Sequence, residues 1–186
     1  MQPVRYSIGI TLDGCIDHQV GVPDEHTHAH ATEWITSGDH LLFGRVTYGL
    51  MEFWRPVAEG RVPEGFPEWM VPFAHAITRA KKYVVSDTLP DNPGWNTELV
   101  RNAELEATIR RLKAEPGRGI LVGRVAMPRH LAALGLIDEY EFVVQPRIAG
   151  HGPYLFEGLK EVVDLRLVGE KRFPGGHVAL TYQPVR

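Results

Sequence analysis

The residues best suited to chemistry cluster at a few points along the 186-residue chain. Gly44-Arg45-Val46-Thr47 follows a short apolar run, His40 to Phe43, and opens a helical pattern. A strand that turns through glycine into a helix leaves backbone N–H groups without partners, and these favour an anion. Arg45 adds a forked cation suited to phosphate, Thr47 adds a hydroxyl, and Gly44 lets a bulky ligand approach the backbone. The same residues also make an ordinary helix start with a surface arginine, and the bare motif does not choose between the two. Ser86 ends the apolar run Tyr83 to Val85, at the kind of strand end where open α/β sheets bind ligands; a plain turn serine looks the same.

Asp13-Gly14 follows the first predicted strand, Val4 to Ile10. A carboxylate there can accept hydrogen bonds from a ring and orient it, and partial burial would raise its pKa toward proton delivery. Asp-Gly is also a common turn. Further on, a predicted helix from about Glu25 to Ser37 carries His26, His28, His30 and Glu33. Residues 26, 30 and 33 share one face, which reads as a solvated surface, as a pocket wall, or, with least support, as a seat for a divalent metal. Trp34, Trp54 and Trp69 offer flat rings, but aromatic residues at helical spacing usually pack in the core. That is the expectation for Trp69, while Trp54 stays open. Cys15, the single cysteine, excludes an intrachain disulfide and a cysteine-built zinc site, and reads as a small buried residue.

The elements that must position these residues alternate. After the helix stopped by Gly38, the run at His40 leads into a second helix carrying Tyr48, Met51 and Trp54. Residues 55–67 read as a Pro- and Gly-rich loop. Trp69, Met70, Phe73, Ala74 and Ile77 then recur at helical spacing, and Tyr83 to Val85 is a strand. Asn102 can cap a helix striped with Leu105, Ile109 and Leu112. Ile120 to Val122 is a strand, and Pro128 suits the first turn of a helix ending at Gly135. Glu139 to Gln145, Val163 to Lys171 and His177 to Tyr182 are strands without helices between them, the last two joined by a turn at Pro174-Gly175-Gly176. The pattern predicts one α/β domain spanning 1–186, with helices on both faces of a mixed sheet that is antiparallel at its C-terminal end.

A 44% hydrophobic content supports one sizeable core. The net charge of -3 gives no field for nucleic acid or an anionic membrane. The N-terminus lacks the pattern of a signal peptide, and no stretch approaches the ~20 apolar residues of a membrane span. The expectation is a cytoplasmic protein acting on a small molecule.

Four patterns taken in order resemble the dihydrofolate-reductase superfamily, and within it the reductase domain of riboflavin biosynthesis and its stand-alone relatives. They are Ser7-Ile8-Gly9-Ile10-Thr11-Leu12-Asp13-Gly14; Leu42 to Tyr48; Lys82 to Leu89; and Gly135 to Tyr140 followed by Gln145 to Gly152 and Leu155-Phe156. The resemblance implies a three-layer fold of that type, an NADPH-dependent oxidoreductase and a homodimer. It implies that Gly44, Arg45 and Thr47 meet the cofactor's pyrophosphate and 2′-phosphate side, with Ser86 beside the 2′-phosphate and Gly123 near the backbone approach. Asp13 would be the catalytic carboxylate, with His28 and Trp54 on the substrate side and no metal. The nearest activities are reduction of the ribosylaminouracil phosphate intermediate of riboflavin synthesis and reduction of dihydrofolate. The chain departs from the pattern where Arg124 and Val125 follow Gly123 in place of a second glycine. Arg124 either clamps a phosphate or marks a degenerate cofactor site, which leaves a non-catalytic binding protein as the alternative. A metal-dependent hydrolase using the histidine helix is a third class.

Overall fold

The computed structural model describes residues 1–123 and 126–185. The strands are β1 (Val4–Thr11), β2 (His40–Gly44), β3 (Lys81–Val85), β4 (Thr97–Val100), β5 (Ile120–Gly123), β6 (Glu139–Gln145), β7 (Leu165–Arg172) and β8 (Val178–Pro184). The helices are α1 (Glu25–Thr36), α2 (Arg45–Met51), α3 (Trp54–Ala58), α4 (Val71–Arg79), α5 (Leu105–Ala114) and α6 (Ala126–Ala133). They build one eight-stranded sheet in the order β4-β3-β2-β5-β1-β6-β8-β7. Neighbours from β4 to β6 are parallel, and β8 runs antiparallel to both β6 and β7.

Period-two alternation splits the apolar runs between the two faces. Val4, Tyr6, Leu42, Ile120 and Val122 pack on Ile109 and Leu112 of α5 and Leu131 of α6. Leu41, Phe43, Val84 and Leu121 pack on Ile35 of α1 and on Phe73 and Ile77 of α4. Helices therefore cover both faces, as expected. The entry to α1 is fixed by a capping box, in which Asp24 accepts from the Thr27 N–H at 2.8 Å and the Asp24 N–H donates to Thr27 Oγ1 at 3.1 Å.

Three expectations change. The helix expected to carry Tyr48, Met51 and Trp54 is two helices, because α2 stops at Met51 and α3 begins at Trp54. Part of the expected loop 55–67 is thus helical. Strand β4 has no apolar run to announce it, since Thr97-Glu98-Leu99-Val100 sits at the sheet edge and pairs only with β3. Arg101, not Asn102, begins the turn before α5; Asn102 instead donates from Nδ2 to Asp87 Oδ2 at 2.6 Å. The turn at 174–176 forms as read, with Gly176 at φ +84 and the Phe173 N–H donating to the His177 carbonyl at 3.0 Å.

Candidate active site

A cavity of about 440 Å³ opens on the α1/α4 face of the sheet, towards the carboxyl ends of β1, β2, β5 and β6. That is a volume suited to a small ring-bearing molecule. Its floor is Ser7, Gly9, Phe43, Gly123, Val143 and Gln145; α1 contributes Thr27, His30 and Trp34; α2 contributes Thr47 and Met51; and His177 closes one side. The position follows from topology, because parallel strands end together and leave a crevice beyond their ends.

Of the residues expected to hold the cofactor, Thr47 and Gly123 line this cavity. Gly44 is the N-cap of α2 with φ -80 and ψ 163, and a Cβ placed on it would meet nothing within 4 Å. Arg45 is exposed at the start of the same helix. Gly123 has a packing duty as well, since a Cβ there would lie 2.8 Å from Phe43 Cε1. Ser86 does not line the cavity and is only 4% exposed. Its hydroxyl accepts from the Thr88 and Leu89 N–H groups at 3.1 Å each, and its carbonyl accepts from Arg101 Nη1 at 3.1 Å. It caps the turn after β3. Arg124 and Val125 lie outside the described residues.

His30 lines the cavity, and His28, expected on the substrate side, does not. The two are about 200° apart around the helix. His28 is buried among Trp54, Trp69 and Phe73, with ring centroids at 5.4, 5.2 and 4.9 Å, and burial pulls its pKa below the usual histidine value. Trp54 packs on Phe73 at 4.8 Å, so it also belongs to the apolar layer and does not line the cavity. His30 Nε2 lies 2.9 Å from Glu141 Oε2, and Ser7 Oγ donates to Glu141 Oε1 at 2.7 Å. Burial works to raise the Glu141 pKa. The bonds from His30 and Ser7, with the charges of His30 and Lys171, outweigh it and hold the group below the ordinary glutamate value. His177 is buried, with Nδ1 3.5 Å from Asp24 Oδ2. Gln145 Oε1 accepts from the Val22 N–H at 3.1 Å. Among the described residues, no three His, Cys, Asp or Glu side chains converge to hold a metal.

Ser7, Glu141, Gln145 and His177 were not singled out from the sequence. Glu141 carried a signal, as a charge inside a strand, between Tyr140 and Phe142. The others depend on long-range register and left none.

At Asp13, hydrogen bonds outweigh the upward pull of burial on its pKa. Its carboxylate accepts from Thr11 Oγ1 at 2.5 Å and from the Ala149 and Gly150 N–H groups at 3.0 and 2.7 Å. These bonds, Thr11's foremost, pull its pKa from 3.8 to about 2. It does not line the cavity, and it ties the turn after β1 to the loop after β6. Because the folded value is depressed, the stability it adds is present above about pH 4 and is lost as pH falls towards 2. Asp13→Asn is expected to flatten the acid limb of stability measured by urea unfolding over that window. An unchanged acid limb would mean that these bonds do not hold in solution.

Comparison with known proteins agrees with this fold. The chain is 27% identical over 179 residues to the uncharacterised protein YyaP of Bacillus subtilis (strain 168), covering 94% of this chain and 91% of that one. Among solved structures it superposes with TM-score 0.71 on a protein provisionally ascribed to riboflavin biosynthesis in Shewanella sp. PV-4, at 20% identity and over 100% of both chains. It superposes with TM-score 0.61 on dihydrofolate reductase from Enterococcus faecalis, solved with NADP(H), at 14% identity, over 99% of this chain and 97% of that one. The fold is that of the dihydrofolate-reductase superfamily. The family model for the RibD C-terminal domain matches residues 2–179, and the chain belongs to that family.

Proposed function

We propose that the chain is an NADPH-dependent reductase of a small, flat heterocyclic substrate. One observation carries this reading: a single cavity joins Thr47 and Gly123, on the side of the Gly44-Arg45 turn, to the polar set His30, Gln145 and His177. The residues present fit the cofactor, because the space beside Gly44 is open and Arg45 is exposed beside it. Gly44, Arg45 and Thr47 would hold its phosphates, and Gly123 would border its reactive ring. When bound, a reduced nicotinamide supplies the hydride. Phe43, Val143 and Trp34 give the substrate an apolar slot, and the polar set orients its edges. The nearest substrate is 5-amino-6-(5-phosphoribosylamino)uracil, with dihydrofolate second. The reading includes a homodimer in the cytoplasm with no nucleic-acid or membrane partner.

Calorimetric titration with NADPH and NADH tests it. NADPH is expected to bind at micromolar concentration and NADH more weakly. Since the Ser86 hydroxyl is already engaged, Arg45 carries the preference, and Arg45→Ala should reduce it roughly tenfold or more. Absence of binding by either nucleotide at millimolar concentration would overturn the reductase. It would leave the second reading, a binding protein on the same fold, which the occupied Ser86 hydroxyl favours.

A further inference from the structure

We propose that Lys171, His30, Glu141 and Ser7 form a proton relay from the protein surface to the cavity. The proposal rests on the reductase reading, since a reduction consumes a proton along with its hydride. Asp13, the carboxylate expected to supply that proton, has its oxygens filled by Thr11, Ala149 and Gly150. A connected path exists elsewhere. Lys171 Nζ lies 3.1 Å from Glu33 Oε2 and 3.4 Å from His30 Nδ1, His30 Nε2 lies 2.9 Å from Glu141 Oε2, and Glu141 Oε1 takes the Ser7 hydroxyl at 2.7 Å. Exposure falls along it, from 49% at the Lys171 side chain to 14% at His30 and 12% at Glu141. Ser7 and His30 both line the cavity.

An imidazole suits the middle of such a path, because one nitrogen faces each way and either can carry the proton. The charged groups around His30 are Glu33 on its own helix, Glu141 on β6 and Lys171 on β7, with the Phe173 ring at 5.3 Å. When bound, a reduced nicotinamide would supply hydride to the carbon of a substrate C=N bond, such as the open-chain imine of a ribosylamine, and the π electron pair would move to nitrogen. For delivery, His30 first passes its proton to the ionised Glu141 and is recharged from water or Lys171 at the surface. The Ser7 hydroxyl, which at rest donates to Glu141, turns to give its proton to that nitrogen and takes the Glu141 proton in its place. Ser7 is the catalytic residue of this step; His30 and Glu141 act through it.

The test has two readouts. In the protein without ligands, carboxyl NMR of Glu141 is expected to show its midpoint rising above the usual glutamate range in His30→Asn, because burial persists after the donor is gone. With NADPH and 5-amino-6-(5-phosphoribosylamino)uracil, Ser7→Ala, Glu141→Gln and His30→Asn should each lower kcat about a hundredfold with little change in KM. They should also alter its pH profile, and Ser7→Thr should restore the rate. An unmoved Glu141 midpoint, or variants that keep the wild-type kcat and pH profile, overturns the relay while the reductase stands. A wild type that binds no NADPH overturns the reductase reading and removes the relay with it.

Discussion

Lys82→Met is expected to cost about 3 kcal/mol of folding stability and to lower the thermal midpoint by roughly 10 °C. Lys82 is fully buried in β3, yet its ammonium is well supplied with acceptors. Nζ donates to the carbonyls of Ile77, Thr78 and Ala80 at 2.9, 3.3 and 2.7 Å, and lies 4.4 Å from the centre of the Trp95 ring. Those carbonyls belong to the end of α4, where a helix has unpaired acceptors and a negative dipole end. Burial, and to a lesser degree the charge of Lys81, lowers the Lys82 pKa to about 8, so the group is charged at neutral pH. Methionine fills similar volume but leaves the Ile77 and Thr78 carbonyls without this donor. Asn96 Nδ2 still donates to the Ala80 carbonyl at 3.1 Å, which limits the loss. Thermal and urea unfolding measure the change. A neutral or stabilised variant would show that desolvating the ammonium costs as much as its bonds return.

Lys82 also marks where local sequence reading stops. The apolar pattern begins β3 at Tyr83, because a lysine reads as the polar end of a strand; only the helix end above it makes a buried ammonium tolerable. The central strands were legible. Glu139–Gln145 has the bounds read from its composition, and β1, β2 and β5 differ by a residue; β2 and β5 announce themselves as short apolar runs, β1 by alternation. The site was legible only where one segment builds it. The Gly44-to-Thr47 turn is local, and Thr47 does reach the cavity. The Ser7–Glu141 bond needs the β1–β6 register, which sets those two residues side by side and which no local pattern encodes. A cap at Asp24 and a stop at Gly38 located the histidine-bearing helix but did not say which of its faces would meet the cavity; His30 lines it, and His28 packs among Trp54, Trp69 and Phe73. For Asp13, two of the three donors that lower its pKa come from a loop far along the chain, beside the local Thr11 hydroxyl, and an Asp-Gly pair does not announce them.

Two glycine substitutions separate what the fold needs from what a ligand needs. Gly44→Ala is expected to leave the thermal midpoint nearly unchanged and to weaken NADPH binding at least about tenfold. Its backbone angles suit any residue, and a methyl group there meets no protein atom. Alanine is a poorer N-cap than glycine, but the gain from restricting the unfolded chain is of similar size and opposite sign. The remaining cost falls on whatever approaches the backbone at the start of α2. Gly123→Ala should lower both stability and affinity. Gly123 and Phe43 are direct partners across β5 and β2, and the added methyl would sit 2.8 Å from Phe43 Cε1 and 3.0 Å from Cδ1. That ring is packed in the α1/α4 layer and also lines the cavity, so relieving the clash costs about 1–3 kcal/mol and reshapes the pocket. Calorimetric titration beside thermal unfolding reads both effects. If Gly44→Ala binds NADPH as well as the wild type, the turn at the start of α2 is a helix start only, and the cofactor assignment for Gly44, Arg45 and Thr47 fails together. If instead Gly123→Ala alone loses binding, the ligand enters between β2 and β5 without using that turn.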